Sequence, residues 1–176
     1  MRFTPTPIAG AFVVSPEERR DGRGFFARLW CQHELAEQGL NARFVQCNSS
    51  FSDERGTLRG LHYQTAPYGE AKLIACTRGS ILDVIVDLRR DSSTYLQAFA
   101  TELTGQNRLM VYVPEGCAHG YLTLADDSEV VYPVTEFYHP EAEAGLRWND
   151  PVVSIAWPES PRVISPKDLA WPDYQR

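Results

Sequence analysis

An all-β fold, an antiparallel sandwich or barrel forming one domain over residues 1–176, is what this sequence predicts. Three observations carry that expectation. Short apolar and β-branched runs recur along the whole length, turn residues separate them at short and even intervals, and only one stretch has helical periodicity.

The runs come in order. AFVVS starts at residue 11, FFARLWC at 25, ARFVQCNSS at 42, TLRGLHYQ at 57 and AKLIACT at 71. SILDVIVDLR follows at 80, YLQAFATELT at 95, RLMVYVP at 108, GYLTLA at 120 and EVVYPVTEFY at 129. DERG, APYGE, TRGS, RRDSS, TGQN, PEG and ADDS fall between them, all rich in residues that favour turns. QHELAEQGL, 32 to 40, reads as a helix, with Gly39 as its C-terminal stop. From about residue 148 the chain is proline-rich and irregular, and Trp157 and Trp171 must pack somewhere on the body.

Composition narrows the functional classes. The chain has 176 residues, 43% of them hydrophobic and 23% charged, the balance of a soluble globular protein. A net charge of −6 argues against nucleic acid as a partner. No segment approaches the roughly 20 apolar residues that cross a bilayer, and the N-terminus carries no long apolar run, so neither a membrane nor export is expected. The cysteines at 31, 47, 76 and 117 form no C-x-x-C pair and read as reduced thiols of a cytoplasmic protein. Only Lys72 and Lys167 stand among 17 basic residues, so a lysine kept in an apolar strand draws notice.

Four features bear on chemistry. In TLRGLHYQ a regular strand would turn Arg59 and His62 to opposite faces, and both reach one cavity only if Gly60 permits a bulge. The alternative is a buried histidine satisfied by a carbonyl, with the arginine in a surface ion pair. VPEGCAHGYL has the P-x-G-x-x-H spacing, ending at His119, that resembles the second metal-binding motif of cupins. The first motif of metal-binding cupins is incomplete here, since His62-Tyr63-Gln64 supplies one imidazole. Two histidines make a poor divalent site, so no metal is expected. In EVVYPVTEFYHP, Tyr132 and Tyr138 would share one face of a regular strand, and Pro133 would require an edge or a bulge. Among the arginines near turns (Arg23, Arg59, Arg78, Arg89, Arg90), two converging on a cavity would clamp a diphosphate.

Together these pieces resemble the cupin-fold nucleotide-sugar epimerases typified by dTDP-4-dehydrorhamnose 3,5-epimerase, from about residue 7 to 170. The matching motifs are DGRGFF, FVQCNSS, GTLRGLHYQ, the lysine of AKLI, GSILDVIVDLR, VPEGCAHGYLTL, the two tyrosines followed by HPEAEAG, RWNDP and SPKD. The resemblance implies a cupin-type jelly roll with one or two short helices, working as a homodimer without cofactor. It implies His62 as the base, Asp168 as its orienting partner, Lys72 and His119 near the oxygen of the enolate, and Tyr132 as the acid on the opposite face. Arg23 and Arg59 match positions that contact the diphosphate. Gln46, Asn48, Phe26 and Tyr138 match positions around the nucleoside, and the segment holding Arg23 and Phe26 reaches across from the partner subunit.

The match has departures. Arg28 stands where the family pattern R-G-x-F-x-E has a glutamate, and Arg28, read as a substrate-binding residue, is a donor that suits an acceptor edge of cytosine or guanine. That leaves a CDP- or GDP-linked sugar as an alternative to the dTDP sugar. Pro133 follows Tyr132 where a lysine is usual, and Ala75 ends KLIA where the family has arginine. A shifted Tyr132 would limit the enzyme to one carbon, so 3- or 5-epimerisation alone is a second alternative. More remote are a metal-dependent cupin and a sugar-binding cupin without catalysis.

Overall fold

The computed structural model describes residues 1–175. In chain order its first elements are β1 (Arg2–Pro5), β2 (Phe12–Ser15), β3 (Arg19–Asp21), β4 (Gly24–Phe26) and helix α1 (Gln32–Glu37). Then come β5 (Gln46–Ser52), β6 (Thr57–Gln64), β7 (Lys72–Arg78), β8 (Ser80–Asp87) and β9 (Ala98–Thr104). The chain continues with β10 (Met110–Val113), β11 (Cys117–Thr123), β12 (Ser128–Val134), β13 (Glu143–Gly145), β14 (Val163–Ile164) and helix α2 (Pro166–Leu169). α1 ends where the sequence predicts, with Gly39 at φ +72 just beyond it.

One sheet runs β1-β2-β10-β7-β12-β5 and the other β13-β6-β11-β8-β9, with β14 parallel to the start of β6. Between the sheets pack Ile74, Val111, Val130, Ile81, Ile85 and Leu103. A second cluster, with Leu35 of α1, Leu73, Met110 and Tyr112, covers the outer face of the first sheet. A third joins Leu61, Val84, Val86 and Leu146 to Val153 and Trp157 of the C-terminal segment. Central strands are therefore covered on both faces. That is why MVYV and CAHGYLT are buried at every residue instead of alternating.

The site depends on a break in this regularity. His119 pairs with His62, yet Tyr121 pairs with Arg59, so three steps along β6 match two along β11. Gly60, at φ +117, carries the extra step. A Cβ there would lie 2.6 Å from Gly120 Cα and 2.8 Å from the His119 carbonyl oxygen. One on Gly120 would lie 2.7 Å from the Arg59 oxygen. Backbone meets backbone, and the bulge turns Arg59 and His62 toward one cavity.

Two expectations for the tyrosine strand need correction. β12 ends at Val134, so Tyr132 and Tyr138 do not share a strand face. The carbonyls of Val134 and Phe137 bond to Val45 and Gln64 as the chain leaves the sheet. Pro133 lies neither at an edge nor at a bulge: β12 runs between β7 and β5, and its register shift falls between Glu129 and Val130. The ladder to β5 continues through Pro133, while pairs with β7 skip Tyr132 and Pro133 and resume at Val134. The missing N–H thus falls in a short gap on one side, close to the strand end.

Away from the cavity, the Asp87 carboxylate gathers the loop after β8. It accepts from Arg89 Nε at 2.8 Å, Ser92 Oγ at 2.6 Å and Thr94 Oγ1 at 2.6 Å. Burial pushes its pKa up, but these donors outweigh burial and bring it from 3.8 down to about 2. A depressed carboxylate stabilises the fold above its ordinary pKa, and that stabilisation is lost as pH falls through the folded value.

Acid unfolding followed by circular dichroism is expected to show about 2 kcal/mol draining away between about pH 4 and 2, a component that Asp87→Asn removes. Gly60→Ala is expected to cost about 3 kcal/mol or more in urea unfolding, because both its φ and its space exclude a side chain. A near-neutral Gly60→Ala would show that the bulge is not required.

Candidate active site

A cavity of about 450 Å³ opens between the two sheets. β6 lends it Arg59 and His62, β11 His119 and Tyr121, β7 Lys72 and β12 Tyr132, while Asp168 closes it from α2. A second chamber of about 360 Å³ shares His62, Lys72 and Tyr132 with the first. Its other walls include Gln46, Asn48, Gln64, Glu70, Tyr138 and Glu143.

His62 Nε2 lies 2.6 Å from Asp168 Oδ1, and Asp168 Oδ2 accepts from the Gly60 N–H at 3.3 Å. Ser165 caps α2 by accepting from the Asp168 N–H at 3.0 Å, which fixes where the carboxylate stands. Burial raises the Asp168 pKa, but the hydrogen bond and charge of His62 prevail and hold it below the usual range. An ionised Asp168 accepts from Nε2–H, so in the neutral ring Nδ1 carries the free lone pair. Beside this pair lies Trp171, its ring centroid 6.4 Å from that of His62. Gly145 makes room for it, since a Cβ there would stand 2.0 Å from the indole.

Across the strand pairing from His62, His119 has a carboxylate of its own, with Nε2 2.6 Å from Asp83 Oδ2. Lys72 is only 6% exposed, its Nζ 3.0 Å from Glu70 Oε1 and 3.3 Å from the His62 carbonyl oxygen. Burial raises the Tyr132 pKa, and the neighbouring Tyr121 and Glu70 add to the shift. Its phenol therefore keeps its proton at neutral pH. Arg59 donates to Ser52 Oγ at 3.1 Å and to the Phe51 carbonyl at 2.8 Å, which hold the guanidinium at the cavity wall. Tyr138 donates to Glu143 at 2.8 Å, and Glu143 also pairs with Lys167.

Nine of the twelve residues singled out from the sequence thus line the two chambers. Arg23, Phe26 and Arg28 do not. Arg23 pairs with Asp21 at 2.6 Å on the exposed β3–β4 hairpin, and Phe26 at its end is 69% exposed. Arg28 donates to Glu34 at 2.7 Å, and the same carboxylate holds the N-terminal ammonium at 2.6 Å. Four lining or supporting groups went unpredicted: Glu70, Asp83, Tyr121 and Glu143. Asp83 left a signal, a carboxylate inside the apolar strand SILDVIVD, whereas Glu70 lies in an irregular loop with no periodicity to mark it. Among the described residues, no three of His, Cys, Asp or Glu are grouped to hold a metal ion.

A family model described as dTDP-4-dehydrorhamnose 3,5-epimerase matches residues 5–176. The Methanothermobacter thermautotrophicus protein of that name is 44% identical over 97% of this chain and 92% of its own. The crystal structure of dTDP-4-dehydrorhamnose 3,5-epimerase from Elizabethkingia anophelis superposes with a TM-score of 0.95 at 37% identity, covering 99% of this chain and 96% of the other. The Legionella pneumophila dTDP-6-deoxy-D-glucose-3,5-epimerase, solved in complex with dTDP-4-keto-L-rhamnose, gives 0.89 at 35% identity with 99% of each chain covered. The fold is thus the cupin-type jelly roll expected from the sequence.

The His62 geometry makes a direct expectation. Long-range proton–nitrogen NMR of the neutral protein is expected to find the proton on Nε2 and Nδ1 bare, and Asp168→Asn is expected to mix the two tautomers. A proton on Nδ1 in the unsubstituted protein would contradict the Asp168 contact.

Proposed function

The chain belongs to the dTDP-4-dehydrorhamnose 3,5-epimerase family, and from that premise we propose that it inverts C3 and C5 of a dTDP-linked 4-keto-6-deoxyhexose. The observation that carries the reading is the placement of a base and an acid in opposite sheets of one cavity, His62 on β6 and Tyr132 on β12.

A carbonyl at C4 acidifies the C–H bonds on either side of it. Nδ1 of His62 takes the proton from one face, and the electron pair moves to the C4 oxygen as an enolate. Asp168 stabilises the imidazolium that forms, as its lowered pKa requires. Lys72, with His119 beside it, supplies positive charge and an N–H donor to the enolate oxygen. Tyr132 returns a proton to the carbon from the other face and regains its own from water, while His62 releases the proton it took. The same cycle at the second carbon completes the double inversion. No step calls on a cofactor.

Arg59 supplies charge for the diphosphate, while Gln46, Asn48 and Tyr138 surround the nucleoside. Arg28 pairs with Glu34 at the surface, and the dTDP-sugar enzymes that this chain resembles support thymidine as the base. Arg23 and Phe26 complete the site only from a second copy, so the enzyme works as a homodimer. The exposed Phe26, Leu29 and Trp30, near an apolar groove of about 420 Å³, support that assembly. Among the described residues no helix is long and apolar enough to cross a membrane. A cytoplasmic, single-domain enzyme is the setting consistent with its free cysteines.

Proton NMR in D2O with dTDP-4-keto-6-deoxyglucose is the test, and loss of both the H3 and H5 signals is expected. His62→Ala is expected to abolish exchange at both carbons, a fall of about 10²-fold or more, with dTDP affinity nearly unchanged. Tyr132→Phe is expected to retain exchange but lose inversion. Exchange at one carbon would mean a mono-epimerase, and exchange only with the CDP-linked sugar would make Arg28 the base reader.

A further inference from the structure

Glu70 enters the second chamber from the loop before β7. Its backbone is pinned one residue on, where the Ala71 N–H donates to Thr135 Oγ1 at 2.8 Å and the Thr135 N–H donates back to the Ala71 carbonyl at 3.0 Å. The side chain is 13% exposed. Oε1 lies 3.0 Å from Lys72 Nζ, and Oε2 lies 3.4 Å from Gln64 Nε2. Gln64 in turn donates to the carbonyls of Tyr68 and Phe137, so it belongs to the rigid frame of the chamber.

Lysine is a flexible side chain whose ammonium has three N–H donors. Here the carbonyl of His62 takes one at 3.3 Å, and the Glu70 carboxylate stands against the ammonium as an ion pair at 3.0 Å. One hydrogen bond and one ion-pair contact from a second direction restrain where the ammonium sits and how it is turned. We infer that Glu70 is a positioning residue for epimerisation: together with the His62 carbonyl it sets the Lys72 ammonium so that a free N–H meets the C4 oxygen of the sugar. The inference rests on the reading of Lys72 as the cation that stabilises the enolate. It adds a cause for the lysine's aim that the lysine itself cannot supply. The two fixed contacts come from different sources, one from the loop and one from the strand that carries the base. Base and cation are thereby held in a set relation before substrate arrives.

A residue that aims a group needed at the transition state changes kcat more than KM. Exchange in D2O and steady-state rates with dTDP-4-keto-6-deoxyglucose are measured for the unsubstituted enzyme, Glu70→Ala, Glu70→Gln and Glu70→Asp, each checked for a cooperative melt. Glu70→Ala is expected to lower kcat about tenfold with KM within about twofold. Glu70→Gln keeps an acceptor oxygen at the same reach and is expected to restore most of the loss. Glu70→Asp keeps the charge but withdraws it by a methylene; it is expected to resemble Glu70→Ala and stands in for that variant should it not fold. Unchanged kcat in both Glu70→Ala and Glu70→Asp overturns the inference. So does a rise in KM alone, or a Glu70→Gln as impaired as Glu70→Ala, which would make charge rather than aim the cause. Absence of exchange in the unsubstituted enzyme would instead overturn the epimerase reading itself.

Discussion

Everything in the cavity follows from one backbone contact, that between Gly60 and Gly120. Two strands approach so closely there that neither position has room for a Cβ. The extra residue this contact accommodates reverses the facing of half of β6, and so puts an arginine and a histidine on the same side of a strand where simple alternation would separate them. It also points the Gly60 N–H at Asp168, so the bulge both presents His62 and helps hold the carboxylate paired with it.

Charge in the cavity is arranged in tied pairs. His62 with Asp168, His119 with Asp83, Lys72 with Glu70 and Lys167 with Glu143 each match an ionisable donor with a carboxylate. Pairing is what allows such groups to be withdrawn from water at tolerable cost. Arg59, held by Ser52 Oγ and the Phe51 carbonyl, has no carboxylate partner among the described residues, and neither has Tyr132. Among the described residues its hydroxyl has no hydrogen-bond partner, and burial keeps it neutral, a fitting state for a group whose proposed work is to give a proton away.

Much of this was legible in the residues. Most of the longer strands announced themselves through turn chemistry at their ends, though FFARLWC is strand only to Phe26 and the short β1, β3, β13 and β14 left no such mark. The bulge was foreseeable because a glycine separates two polar side chains that otherwise face apart. What escaped prediction depends on contacts between distant segments. The end of β12 at Val134 is set by Gln46 and its neighbours on β5, not by the residues after it, so the tyrosines looked like one continuous strand. Pro133 points to an edge or a bulge in the sequence because a sequence does not reveal that only one flank of a strand needs its N–H. Glu70 lies outside any periodic pattern, and its nearness to Lys72 comes from loop geometry. Arg23, Phe26 and Arg28 were named together by resemblance, yet within this chain they lie beyond the cavity.

The two-layer architecture also acts as a gauge. The cavity between the sheets holds about 450 Å³, with Arg59 and His62 on one sheet and Lys72 and Tyr132 on the other, so a substrate ring must fit between side chains of both walls. A molecule too bulky for that space would have to spread the sheets and give up the packing of Val130 against Ile81 and Ile85. Selection by size is therefore exerted by how the two sheets are packed together, beside whatever single side chains read of the sugar's hydroxyls.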